Sequence, residues 1–81
     1  MSLSEFGNYL ESCHGVLKKH RPFYMRWATD FVRFCKAAPG LSAPERMIEP
    51  FLVHLGRNHQ QWQVDQAQEA LRLYCYFIST L

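Results

Sequence analysis

The segment between Pro22 and Pro39 most restricts how this chain can fold. Its apolar residues, Trp27 among them, recur at the i, i+3, i+4 and i+7 spacing of a single helical face. Pro22 suits the first helical turn, because the N–H that proline lacks would have no partner there. The segment therefore predicts an amphipathic helix, with Arg26 and Arg33 on its polar side.

Shorter stretches with the same spacing predict a first and a third helix. The first runs from Ser4 to about Cys13. The third begins at the capping box Ser42-x-x-Glu45 and has stop signals from Gly56 onward. Pro50 lies within it, so we expect this helix either to kink there or to restart with Pro50 in its first turn.

The fourth predicted helix extends to the C-terminus. Asp65 and Gln68 are its expected capping residues, and Gln66, Glu69 and Arg72 fall on its solvent side. No stretch shows strand-like alternation for more than a few residues. The sequence thus predicts an all-α fold, a compact four-helix bundle forming one domain over residues 4–81.

Chain length limits the function. With 81 residues the protein can form one small hydrophobic core. Hydrophobic residues make up 48% of the chain, which excludes a disordered tail. A two-domain enzyme is excluded, and binding is favoured over catalysis because a deep substrate cavity would remove much of so small a core.

The charge is unevenly distributed along the sequence. The net charge is only +2. Between His14 and Lys36, however, six Lys or Arg residues face Asp30 alone, a net charge of +5, and the rest of the chain carries −3. If folding gathers these basic residues on one side, that side would attract a polyanion.

The residues that usually mark catalytic, metal or membrane sites are absent or badly spaced. Cys13, Cys35 and Cys75 include no CxxC pair, which fits reduced thiols in a reducing compartment. No phosphate loop, paired carboxylates or metal-ligand spacing occurs, so we expect neither a cofactor nor a metal. With no apolar run near the ~18 residues of a membrane span and no signal peptide, we expect a soluble, cytoplasmic protein.

Two polar segments are candidate binding sites, because each combines basic residues with an expected helix start. The first is Lys18, Lys19, His20 and Arg21. The second runs from Arg57 to Gln68, includes His59, and is rich in glutamine. Basic side chains and the free N–H groups of helix starts bind phosphate, so both segments predict contacts with a nucleic-acid backbone. The alternative is an ordinary solvated loop and helix surface.

The packing residues also form an ordered series. It consists of Tyr24-x-x-Trp27-x-x-x-Phe31-x-x-Phe34, a Pro/Gly turn, Ile48-Glu49-x-Phe51-Leu52-x-His54-Leu55, and Gln68-x-Ala70-Leu71 before an aromatic-rich end. In order and spacing the series resembles the N-terminal SAM-like core-binding domain of tyrosine recombinases, most closely the integron-integrase and phage-integrase branch. The resemblance covers about residues 5–81.

The resemblance implies a four-helix bundle that forms half of a C-shaped clamp around duplex DNA, with the second and fourth helices on the DNA. Where the family has a basic and a small hydroxyl residue before the second helix, this chain has Lys19 and His20. Where the family has a Ser/Thr-rich turn, this chain has residues 62–66, so hydrogen bonds to phosphate would come from Gln63 or Gln66.

The family's catalytic domain, with its nucleophilic tyrosine, lies C-terminal to this region. The resemblance therefore implies a non-catalytic fragment, the DNA-binding domain of a site-specific tyrosine recombinase or integrase. Its implied partners are duplex DNA, the catalytic domain of the same parent protein and neighbouring recombinase protomers, with no membrane, and its implied location is the bacterial nucleoid. The expected DNA-contacting residues are Lys18, Lys19, His20, Arg21, Arg26, Arg57, Gln63 and Gln66, with Arg33 adding a contact beside Asp30.

Two other functions are open on the sequence. A helical bundle of this kind can serve as an adaptor or oligomerisation module, for which we expect salt-insensitive self-association. A small enzyme or thiol sensor would use Cys13 together with His14 or His20.

Overall fold

Four α-helices and one 3₁₀ turn make up the described part of the protein. The computed structural model describes residues 3–13, 15–37 and 44–80. The helices are α1 (Leu3–Glu11), α2 (Arg21–Ala37), α3 (Pro44–Gly56) and α4 (Gln61–Ser79), and a 3₁₀ turn (Lys18–His20) leads into α2. No strand occurs among these residues, so the predicted all-α four-helix bundle is confirmed.

α2 follows its predicted pattern. Tyr24, Trp27 and Phe31 are buried on one side of the helix, as the spacing of the apolar residues predicts. The helix begins at Arg21, one residue before Pro22, because the 3₁₀ turn runs directly into it and the Arg21 N–H donates to the carbonyl of Lys18.

Pro50 lies inside α3 without dividing it. The helix runs from Pro44 to Gly56, so the expectation that it restarts at Pro50 is wrong. Proline lacks the N–H that would bond the carbonyl four residues earlier, that of Arg46. Both residues are exposed, so water can solvate this carbonyl. The predicted capping serine, Ser42, lies outside the described residues.

α4 begins about one turn earlier than predicted. Asp65 and Gln68, the expected capping residues, lie inside the helix. The N-cap is Gln60, whose side chain accepts the N–H of Gln63, while Gln63 Oε1 accepts the N–H of Gln60 at 2.9 Å. Two glutamines thus form the reciprocal capping box that Ser or Thr and Glu usually form, so the usual residue types do not mark this start.

A chain of aromatic rings joins all four helices. Phe31 of α2 lies 5.5 Å from Phe51 of α3 and 6.3 Å from Tyr74 of α4, measured between ring centroids. Tyr74 lies 5.2 Å from Phe6 of α1, with the ring planes at 88°. Edge-to-face pairs of this kind contribute about 0.5–1.5 kcal/mol beyond the burial of their area. These four rings form the centre of the core.

The bundle is flat, with extents of 33 × 30 × 15 Å, so its helices keep exposed sides. α4 packs mainly on α2 and α3 through the fully buried Ala67, Ala70 and Leu71. Alanine allows neighbouring helices to approach closely. The opposite side of α4 stays exposed, and so does the side of α2 that carries Arg26 and Arg33.

Replacing Phe31 with alanine tests the position of this ring in the core. Phe31 is 1% exposed, whereas Phe23 on the same helix is 48% exposed. We expect Phe31→Ala to lower the free energy of unfolding by about 3–5 kcal/mol and the matched control Phe23→Ala to change it by less than about 0.5 kcal/mol. Urea unfolding followed by circular dichroism measures both, and equal losses would contradict the assignment.

Candidate nucleic-acid interface

The first predicted contact segment forms the 3₁₀ turn and the first residue of α2. Lys18 and Lys19 are exposed, whereas His20 and Arg21 are half-buried. The N–H groups of His20 and Arg21 already donate to the carbonyls of Leu17 and Lys18. Those two donors are therefore not free for a phosphate, and at these residues only the side chains can bind an anion.

Arg21 and Arg26 lie on different sides of α2. Five residues separate them, which is about 140° around a helix axis. Nε of Arg21 is buried without a hydrogen-bond partner, so the protein partly covers its guanidinium group. Arg26 is exposed, and so is Arg33 two turns further along on nearly the same side. The structure thus divides the basic residues into a group at the start of α2 and a pair along its exposed side.

Trp27 links α2 to the start of α4. Its ring is 3% exposed, and its indole N–H donates to Oε1 of Gln66 at 2.9 Å. The guanidinium carbon of Arg26 lies 5.8 Å from the centroid of the same ring. Gln66 is therefore half-buried between two helices, and its expected place on the solvent side of α4 is wrong. Arg26 and Gln66 are the predicted contact residues that Trp27 brings together.

His59 packs against the other helices. Its ring lies 5.5 Å from that of Trp27 in an edge-to-face arrangement, with ring planes at 80°. Its Nδ1 lies 2.9 Å from the carbonyl oxygen of Leu55. A carbonyl oxygen only accepts, so Nδ1 must carry the hydrogen and donate it. His59 therefore positions the turn between α3 and α4.

In Gln63 and Gln66 the oxygen of the side-chain amide accepts a hydrogen bond inside the protein. Their Oε1 atoms accept from the N–H of Gln60 and the indole of Trp27. Both partners can only donate, so the oxygens must be the atoms that face them. Neither Nε2 group makes a hydrogen bond with the described residues, and neither is buried. Both amide N–H₂ groups therefore reach solvent and can donate to a phosphate oxygen.

Arg57 lies alone in the turn between α3 and α4. Its side chain is exposed, and its backbone N–H donates to the carbonyl of His54 at 3.4 Å. Arg57 forms no ion pair with a carboxylate among the described residues. The predicted second contact is therefore one exposed cation, followed along the sequence by the amide donors of Gln63 and Gln66.

Nearly all the cationic side chains lack a carboxylate partner. All nine Lys and Arg residues and all seven Asp and Glu residues belong to the described part of the chain. Within it the one ion pair joins Arg72 and Glu69, at 3.2 Å. The remaining cations keep their charge available for an external anion.

A cleft of about 460 Å³ beside α2 was not predicted from the sequence. Its lining residues are Asp30, Arg33, Phe34, Ala37, Phe51, His54, Leu55 and His59. Asp30 and Arg33 form no ion pair with each other. The i, i+3, i+4, i+7 spacing of residues 30, 33, 34 and 37 is the signal that could have identified the cleft wall. Asp30 interrupts the basic side of α2 between Arg26 and Arg33.

The thiols of Cys35 and Cys75 are poor nucleophiles. Burial raises the pKa of Cys75 to about 11 and also raises the pKa of Cys35. The thiolate is the reactive form, so both groups are protonated at neutral pH. All three cysteines are free. Of the two histidines predicted as partners of Cys13 in a thiol site, His14 lies outside the described residues and His20 lies half-buried in the 3₁₀ turn.

Residues 3–13, 15–37 and 44–80 contain neither a cluster of metal ligands nor a membrane-spanning helix. No three His, Cys, Asp or Glu side chains lie close enough to hold a metal ion there. None of the helices formed by these residues is long and apolar enough to cross a membrane.

Comparison with known proteins finds no matching family model, curated protein or solved structure. The resemblance to tyrosine recombinases therefore rests on the residues that carry it, and the side chains described above are the basis for a functional proposal.

The hydrogen bond between Trp27 and Gln66 can be tested by removing its acceptor. Gln66→Ala leaves the buried indole N–H without a partner, so we expect a loss of about 1–3 kcal/mol in the free energy of unfolding. The side chain of Gln68 is exposed and makes no hydrogen bond with the described residues, so Gln68→Ala is the matched control, expected to change stability by less than about 0.5 kcal/mol. Equal effects of the two variants in urea unfolding would contradict this role of Gln66.

The raised pKa of Cys75 predicts a loss of stability at high pH. The ordinary pKa of a cysteine thiol is 9.0, and burial in the folded protein raises that of Cys75 to about 11, so between these values the folded state holds the proton more tightly than the unfolded chain does. The resulting stabilisation is present below pH 9 and is lost as pH rises through the folded-state pKa. We expect the thermal midpoint to fall less steeply in this window for Cys75→Ala than for the wild type. Parallel curves of thermal midpoint against pH for the variant and the wild type would contradict the raised pKa of Cys75.

Proposed function

We propose that this chain is the non-catalytic DNA-binding domain of a tyrosine site-specific recombinase or integrase, and that it grips duplex DNA with α2 and the turn before it. The observation that carries the proposal is the set of cations on the 3₁₀ turn and α2 that form no ion pair with a described carboxylate. The other parts of the proposal come from the family resemblance: a catalytic domain in the parent protein, neighbouring protomers as partners, and action at the nucleoid. We propose no cofactor or metal because the sequence has no motif for either.

The charges support DNA as the ligand because most basic residues lie on one pair of elements and most acidic residues lie on the other helices. The 3₁₀ turn and α2 carry six Lys or Arg residues and only one acid, Asp30. The other six acids lie on α1, α3 and α4. A polyanion is therefore attracted to the α2 side and repelled from the others.

The spacing along α2 supports several phosphate contacts. Arg26 and Arg33 are seven residues apart, or about 10 Å along the helix axis, and both are exposed. Lys18 and Lys19 extend the basic side beyond the helix start. Asp30 lies half-buried between the two arginines, so DNA would contact their side chains and not the helix surface between them.

In this proposal α4 makes fewer DNA contacts than the family resemblance implies. Asp65 and Glu69 lie on the exposed side of α4, where they would repel phosphate. Gln63 and Gln66 lie in its first two turns and keep their amide N–H₂ groups free. We therefore place the DNA across α2 and the start of α4, next to Arg57, and not along α4.

The salt dependence of binding tests the proposal. If about four phosphates are contacted, the logarithm of the affinity for DNA should fall with the logarithm of the salt concentration with a slope of about −3.6. Fluorescence anisotropy of a labelled random duplex, titrated at several salt concentrations, measures this slope. No binding at low salt and high protein concentration would refute DNA binding.

Charge reversals then locate the contact. We expect Lys19→Glu and Arg26→Glu each to weaken binding and to reduce the steepness of the salt slope by about 0.9 per lost phosphate contact. Arg46→Glu makes the same change of charge on α3 and serves as the matched control. Arg46→Glu should leave the affinity for DNA nearly unchanged. If it weakens binding as much as the other two variants, the affinity comes from the net charge of the protein and not from contacts on the α2 side.

A further inference from the structure

The exposed side of α4 carries two large aromatic side chains whose rings are mostly exposed. Trp62 is 59% exposed and Tyr76 is 61% exposed, the largest exposures of any aromatic residue described. They are fourteen positions apart, or two heptads, so they lie on nearly the same side of the helix. Leu73 lies half-buried between them. We call Trp62, Asp65, Glu69, Arg72, Leu73 and Tyr76 the outer stripe of α4.

Trp62 is held in one orientation. Its indole N–H donates to Oε1 of Gln60 at 2.9 Å, and Gln60 is itself fixed by the capping box with Gln63. An exposed aromatic ring that is already ordered loses little side-chain entropy when a partner covers it. The ring is thus positioned for contact with another protein surface.

The charges between the two aromatic residues are self-complementary in one direction only. Asp65 and Glu69 come before Arg72 along the helix. If the stripe met its own copy in parallel, each charge would face itself, which is unfavourable. In an antiparallel pair centred between Gln68 and Glu69, Asp65 faces Arg72 of the second copy. Each Glu69 keeps its ion pair with Arg72 of its own chain, at 3.2 Å.

We propose that the outer stripe of α4 is a self-association surface that pairs antiparallel with the outer stripe of a second copy of this chain. Such a two-fold arrangement lets one surface serve both partners. It brings Trp62 next to Tyr76 of the second copy at both ends, and Asp65 next to Arg72 of the second copy at two positions. The proposal is argued from the side chains of α4 alone, so it does not depend on DNA binding.

The length of the stripe sets the strength of the dimer. From Trp62 to Tyr76 the stripe spans about 21 Å of helix. An interface of this size belongs to the small, transient class. The dimer therefore forms and dissociates reversibly with concentration.

Sedimentation equilibrium of the whole chain without DNA, from low micromolar to submillimolar concentration, tests the proposal. We expect a monomer–dimer equilibrium in the wild type. Trp62→Ala and Tyr76→Ala should each raise the dimer dissociation constant at least about tenfold. Both side chains are exposed, so the variants should keep the helical circular dichroism of the wild type. Phe23→Ala, which removes an exposed aromatic ring from α2, is the matched control and should leave the constant unchanged.

A charge-swap experiment tests the antiparallel direction. Asp65→Arg places arginines opposite each other in its own dimer, and Arg72→Asp does the same with aspartates, so each variant alone should dimerise at least about tenfold more weakly. In a mixture of the two variants, both facing pairs are again oppositely charged. We expect the mixture to dimerise about as well as the wild type.

Three results would overturn the proposal. They are a wild type that stays monomeric throughout, aromatic variants that associate like the Phe23→Ala control, and charge variants that do not recover on mixing. Since no DNA is present, each of these results leaves the DNA-binding proposal to be decided by its own titration.

Discussion

The edge-to-face contacts of Phe31 hold this bundle together. Phe31 meets Phe51 of α3 and Tyr74 of α4, and Tyr74 meets Phe6 of α1. A domain of this size buries a smaller fraction of its surface than a large domain does, so it has few other contacts that reach across all the helices. The position of α2, and with it the arrangement of the basic residues, depends on these rings.

The flat shape that follows from this core gives the molecule two different exposed sides. On α2 and the 3₁₀ turn before it there are six cations and one acid, and the opposite side of α2 is buried. On α4, the exposed side carries two acids, one paired arginine and two exposed aromatic residues. A polyanion would be attracted to the first side, and a protein surface fits the second. One small domain can therefore present two separate binding surfaces, because its helices form a thin body in which each helix keeps an exposed side.

The sequence predicted the elements better than it predicted their ends and contacts. The α2 stripe is recognisable because one buried side of a helix repeats every 3.6 residues. The start of α4 was misplaced because glutamines form its cap, in place of the residue types that usually do so. Gln66 was placed on the solvent side, since nothing in its own helix shows that Trp27 of α2 supplies a donor. Of the predicted contact residues, Arg26 and Gln66 meet at one ring, while the group at the start of α2 is separate.

By itself the sequence determined the class of the fold and the residues of its core, because both follow from local periodicity and from the positions of proline and glycine. It also determined which segment carries the positive charge. Only the tertiary structure decided that Nε of Arg21 is buried, that Gln66 accepts a hydrogen bond from Trp27, and that Asp30 lines a cleft. These features depend on distances between residues far apart in the chain and on hydrogen bonds already made. A pattern along the sequence does not contain that information.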